Sequence, residues 1–305
     1  MTTLPAMEPA QPAASASAVD FSRRFMPESL TPLFYTAAYA TLTAGQQCRY
    51  NQLNALYFNE QTVFFETALA QNVLGFFLAG SLPAKVRQQL EQFAREEREH
   101  TEMFRRLNSI CAPEFYAGRD FHFIRVTETA RRLLAAITRR PDWFPLLLWL
   151  MHLQEERALY FGRTFLQHSE ELEPHFVATQ RKHLADEAGH VRCDEWLLDH
   201  VWPRTSFPVR WVNARMLAWM LAEYFTVPKR AGVQVVAQLV AEFPELQPRQ
   251  QELAAQLLGL KNDRAFCLSL YSPENASGTF RRFAAWPEFR CISRVLPGYQ
   301  PEVVG

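Results

Sequence analysis

Between Phe21 and Lys261 apolar residues recur at helical spacing, and no segment alternates with the period of two that a strand needs. Leu53, Leu56, Tyr57, Phe64 and Leu69 mark a helix expected from about Arg49 to Leu78, which Gly80-Ser81-Leu82-Pro83 must break. A second long helix is expected from about Ala84 to Ile110, closed by Cys111-Ala112-Pro113. A third should start at the N-cap Asp142 and reach about His168. After a turn at Ser169–Pro174, a fourth should run from Pro174 to Val201 and stop at Trp202-Pro203. Further helices are expected near residues 31–43, 126–138, 209–226, 232–243 and 248–258. The class is all-α.

Composition adds little. The 305 residues carry 32 basic and 32 acidic side chains, so there is no basic field for nucleic acid and no acidic tail. Five scattered cysteines form no CxxC pair, which fits a reducing, cytoplasmic setting. Residues 1–20, rich in Pro, Ala and Ser, read as a disordered lead-in without the features of a signal peptide. The most apolar run, Trp143–Leu150, contains Pro145 and falls short of the roughly 18–20 residues a membrane span needs. A soluble protein with no membrane partner is expected, its helical domain spanning residues 21–262 and an irregular tail, residues 263–305, packing on it.

The chemistry lies on the long helices. Glu97-Arg98-Glu99-His100 and Glu187-Ala188-Gly189-His190 are two E-x-x-H motifs, each placing a carboxylate and an imidazole on one helix face. A dimetal bundle needs one further glutamate from each of two partner helices. In an antiparallel hairpin, residues at equal distance from the turn lie side by side. That selects Glu66 opposite Glu97 and Glu156 opposite Glu187, both 31 residues before the motif, with Glu60 as the alternative on the first helix. Glu155 is one position off this register and points about 100° away. His183 lies four residues before Glu187 and seven before His190, so it is a third histidine ligand, where the first half has Phe93. Glu96 and Asp186, each directly before a motif, are candidates to accept the histidines' outer N–H groups; Asp194 and Glu99 read as surface residues. Carboxylates and imidazoles without thiolates suit iron or manganese.

The set Glu66, Glu97, His100, Glu156, His183, Glu187 and His190 resembles that of the p-aminobenzoate N-oxygenase (AurF-like) family, over roughly residues 49–203. The resemblance implies a ferritin-like four-helix bundle with flanking helices and two iron ions held by these seven side chains. It also implies that O2 is activated there to oxidise a small or carrier-bound amine to hydroxylamine, nitroso or nitro products. No flavin or Fe–S motif is present, so electrons would come from a separate reductase. Tyr57, Phe65, Phe104, Tyr160 and Phe161 are candidates for a substrate pocket, and Arg95, Arg98 and Arg157 for pairing a substrate carboxylate. An apolar face on Trp211, Leu217, Trp219 and Tyr224 would suit a homodimer. Competing readings are a di-iron C–H hydroxylase, desaturase or C–C-cleaving oxidase, and a non-catalytic metal-binding bundle.

Overall fold

The computed structural model describes residues 18–301. Among them the only β pairing is one isolated bridge, Arg24 to Leu172, and the rest of the ordered backbone is helical. Residues 1–17, most of the expected lead-in, lie outside this range.

Four long helices form the bundle. Helix α1 (Ala44–Ala79) starts on a capping box in which Thr43 accepts from the Gln46 amide and Gln46 reaches back to the Thr43 amide. Helix α2 (Ala84–Cys111) follows the four-residue connection 80–83. After a short helix α3 (Glu128–Thr138), helices α4 (Leu146–Gln167) and α5 (Pro174–Val201) form the second hairpin. Pro174 occupies the first position of α5, where its missing N–H costs nothing, and Glu173 caps the amides of His175 and Phe176. Phe58 of α1 stacks on Phe161 of α4 at 5.5 Å, joining the two hairpins on the side opposite the α2–α5 contact.

Helix α1 is not uniform. Glu66–Ala70 is a π-turn, which fits one more residue into the helix than α geometry would. Helix α1 also holds an 18-residue window of mean hydropathy 1.3, long and apolar enough to cross a membrane, contrary to the expectation that no such stretch exists. Here it packs as a bundle helix, with Glu66 directed inward and Gln71 donating to the Ala94 carbonyl of α2.

Three local expectations are corrected. Residues 31–43 form a 3-10 turn, Pro32–Tyr35, and a single helical turn, Ala37–Ala40. The Thr36 and Thr41 hydroxyls donate to the Leu33 and Ala38 carbonyls, and such local bonds compete with a continuous helix. Asp142 does not cap α4. Its carboxylate pairs with Arg140, and Pro145 keeps the residue before it out of helical geometry, so the helix begins at Leu146.

The tail after Asp263 is helical rather than irregular. Beyond helices α6 (Phe207–Met220), α7 (Ala231–Glu242) and α8 (Gln250–Gly259) come α9 (Arg264–Leu270), capped by Asp263, and α10 (Ser277–Ala284). A 3-10 helix, Pro287–Arg294, follows. Trp149 and Trp202 of the bundle pack with Phe283 and Phe289 of the tail at centroid distances of 4.6–5.3 Å. Each of these fully buried rings contributes about 2 kcal/mol of hydrophobic stabilisation, which holds the tail against α4 and α5.

Candidate metal centre

Helices α2 and α5 bring the two E-x-x-H motifs face to face in the bundle interior. Glu97, His100, Glu187 and His190 each offer a ligand atom within 4.8 Å of the others, and Glu66, His100 and His183 form a second such group. All six side chains are buried. His190 Nδ1 lies 3.3 Å from Glu97 Oε1 and 3.5 Å from Glu187 Oε1. His183 Nε2 lies 2.9 Å from Glu187 Oε1 and 3.8 Å from Glu66 Oε1. The Thr101 hydroxyl donates to Glu66 Oε2 at 2.7 Å and fixes that carboxylate.

Of the two glutamates on α4, Glu155 and not Glu156 faces this cluster. Glu155 is buried, and its Oε2 lies 3.8 Å from His190 Nδ1. Glu156 faces the other way and accepts from the Gly278 and Thr279 amides at the start of α10. Mirror-symmetric counting failed because the two hairpins are not equivalent. The second connection, residues 168–173, is two residues longer than the first, whereas α4 lacks the extra π residue of α1. The net offset is one residue, so the partner of Glu187 lies 32 positions back rather than 31. The alternative Glu60 is occupied elsewhere: it accepts from the Tyr116 hydroxyl and from the amides of His122, Phe123 and Ile124.

The outer nitrogens of two histidines are held in a crossed arrangement. His100 Nε2 donates to Asp186 Oδ2 at 3.1 Å, and His190 Nε2 donates to Glu96 Oε2 at 3.1 Å. Glu96 and Asp186 thus do accept from the motif histidines, each from the one on the opposite helix. A carboxylate can only accept, so both Nε2 atoms carry hydrogen and both Nδ1 atoms face inward.

Electrostatics sets the character of the site. Burial, and then the charge of Glu97, raises the Glu66 pKa well above the usual carboxylate range; burial and Glu187 do the same for Glu155. Burial opposes ionisation of Glu187 too, but the neighbouring imidazoles, His183 above all, outweigh that and hold its pKa low. Burial disfavours the charged imidazole of His100, yet Glu97 and Glu187 raise its pKa, and Glu155 and Glu187 raise that of His190.

Glu66 Oε1, Glu97 Oε2, both Glu187 oxygens and the Nδ1 atoms of His100 and His190 are buried without a hydrogen-bond partner. Unpaired buried groups of this kind cost several kcal/mol per ion. Once the protons that these groups retain in the metal-free site are displaced, four carboxylates would supply the charge that two divalent cations balance, and three imidazoles would add nitrogen donors. The donor set therefore fits a pair of metal ions.

The family comparison agrees with this geometry. The p-aminobenzoate N-oxygenase AurF family matches residues 10–268. The chain belongs to this family. No curated protein matches it significantly. Membership makes the chain an oxygenase and an oxidoreductase, and its buried Glu/His cluster is one that could hold metal.

A cleft of about 1030 Å³, measured with its open mouth, leads from Glu66, Glu155 and His183 to the surface. Of the AurF-family chain's candidate aromatics, Tyr57, Phe65 and Phe161 line it. Phe104 instead packs edge-on against His183 at 5.1 Å, and Tyr160 is not part of the lining. Arg157 lines the cleft, whereas Arg98 donates to Gln71 on the surface and Arg95 is exposed.

Three relevant residues escaped sequence reasoning. Glu155 was hidden by the symmetric register. Thr101 carries no motif signal. Asp194, read as a surface residue, is fully buried with both oxygens unpaired, and burial raises its pKa. Its spacing of four from His190 placed it on the ligand stripe, which was the available signal.

Proposed function

We propose that this chain is a di-iron N-oxygenase that oxidises an acid-bearing arylamine in specialised metabolism, working in the cytoplasm with electrons from a separate reductase. The observation that carries the reading is the convergence of unpaired Glu66, Glu97, His100, Glu187 and His190 atoms at the inner end of an aromatic cleft, in a chain of the AurF family. The five free thiols among the described residues accord with a reducing compartment.

Glu66, Glu97, His100, Glu155, His183, Glu187 and His190 would hold the irons, and a set of only oxygen and nitrogen donors suits iron. Iron bound there would supply the electrons that activate O2, restored by the separate reductase, for oxygen transfer to the substrate nitrogen. The protein's part is positional. Asp186 and Glu96 hold the Nε2 protons of His100 and His190, which keeps both Nδ1 atoms directed inward. Phe58, Phe65 and Phe161 present flat apolar surface to an aromatic ring and exclude water beside the carboxylates.

Arg157 supplies the counter-charge for an acidic substrate. Its guanidinium lies over the Phe161 ring at 4.5 Å, and its Nε is buried with no partner. Its one hydrogen bond runs to the Gln154 side-chain oxygen at 3.4 Å, so most of its donors are free for a carboxylate in the cleft. An amine para to that carboxylate would then extend toward the metals.

The test is anaerobic loading with Fe(II), followed by mixing with O2 and a panel of arylamines and mass analysis of the products. Two irons per chain and products heavier by oxygen on nitrogen support the reading. Products oxygenated only at carbon, or iron uptake below one per chain, overturn it.

A further inference from the structure

A Cβ at Gly278 would sit 2.5 Å from Glu156 Oε1, so a side chain there would require the Glu156 carboxylate to shift. The crowding comes from a short run of bonds between the tail and α4. Glu156 Oε1 accepts from the Gly278 amide at 2.8 Å, and Glu156 Oε2 accepts from the Thr279 amide at 2.7 Å. A carboxylate of one helix thus satisfies the free N–H groups and the positive end of another. Nearby, Thr279 Oγ1 and His152 Nδ1 are hydrogen-bonded at 2.7 Å. Gln154 Nε2 donates to the Tyr271 hydroxyl at 2.9 Å, and the Arg157 guanidinium lies 5.6 Å from the Tyr271 ring centre.

Residues 152, 154, 156 and 157 are therefore all held by residues 271–279. Glu155, in the middle of that run, is left facing the metal centre. The holding segment lies beyond the family match, which ends at residue 268.

We propose that residues 271–279 are a positioning clasp: by taking up Glu156 at the start of α10, they set the rotation of α4 so that Glu155 is presented to the metals. Adjacent residues on a helix point about 100° apart, so the rotation of α4 decides which of the two neighbouring glutamates faces the site. The clasp removes Glu156 from the competition. It also suits glycine at 278, where a side chain would displace the Glu156 carboxylate from this contact.

The proposal rests on the dimetal reading, and its test separates the two. Co(II) is titrated anaerobically into the full-length chain, following the visible d–d absorption, for wild type, Gly278→Ala and Glu156→Gln. The expected result is that both variants keep their helical circular dichroism but bind the second Co(II) roughly tenfold or more weakly, with altered bands. Glu156→Gln keeps the size of the side chain and one acceptor, so it carries the test if Gly278→Ala does not fold. A purely structural contact would lower the urea midpoint and leave the Co(II) spectrum and affinity unchanged, which overturns the clasp while the dimetal reading stands. A wild-type chain that takes up no Co(II) overturns both.

Discussion

His100 on α2 donates from Nε2 to Asp186 on α5 at 3.1 Å, so the acid that orients one motif's histidine belongs to the other motif. His190 and Glu96 repeat the exchange at the same distance. Each acid fixes a tautomer and a ring orientation from across the helix interface. Asp186→Asn and Glu96→Gln should each weaken metal binding by roughly 10–100-fold without unfolding the bundle. Competitive chelator titration checks this, and unchanged affinity in both variants would remove their role.

Glu60 and Glu66 are both buried glutamates of α1, yet their replacement should give opposite phenotypes. Glu60 ties down the segment at His122–Ile124 through three amides and accepts from Tyr116 as well. Glu60→Gln puts an N–H₂ group among donors and should cost about 2–3 kcal/mol of stability while leaving two metals per chain. Glu66→Gln should lose metal and keep the fold. Urea unfolding together with metal analysis separates the two outcomes.

The metal-free protein should lose stability as pH rises. Glu66 and Glu155 have raised pKa values in the folded state, so above about pH 4.5 the folded chain retains protons that the unfolded chain has released. The raised pKa values of His100 and His190 act in the same direction above about pH 6.5. The stabilisation is fully present below the unfolded values and is lost as pH climbs through the folded ones; each tenfold difference in proton affinity between folded and unfolded chain is worth about 1.4 kcal/mol. Glu187, whose pKa is lowered, acts only below about pH 4.5 and does not oppose this trend. Urea midpoints of chelated protein should fall from pH 5.5 to pH 8, and the gain on adding metal should grow over the same interval, because metal needs the deprotonated ligands. A midpoint that rises with pH in the chelated protein contradicts the assignment.

Arg157→Met should raise KM for an acid-bearing arylamine by roughly 10–100-fold and leave that for its neutral ester unchanged. Steady-state assays on such a pair decide the matter. An equal loss for both would mean that Arg157 shapes the cleft rather than pairing a charge.

The helix-rich pattern and both E-x-x-H motifs could be read without a structure, because 3.6-residue periodicity and an i, i+3 pair are properties of one helix. His183 was readable for the same reason. Glu155 was not, since its place depends on two features of different helices: the π-turn at Glu66–Ala70 and the longer connection 168–173. The π-turn leaves no mark in local spacing, and the length of the second turn alone does not fix the register. The helical tail was missed because Pro273 and Gly278 look like breakers, whereas Pro273 precedes α10 and Gly278 lies within its first turn, against the Glu156 carboxylate. Asp194 was misjudged by assuming that an unmatched acid faces water.

The crossed pairing of His100 with Asp186 and His190 with Glu96 also bears on the order of assembly. In neither hairpin alone is the motif histidine correctly oriented, since the acid that orients it arrives with the other hairpin. A nascent or half-folded chain with α1 and α2 in place would hold Glu97 and His100 but leave the imidazole free to rotate. Tight metal capture therefore waits for the two hairpins to dock, and uptake of the metal records completed assembly instead of directing it.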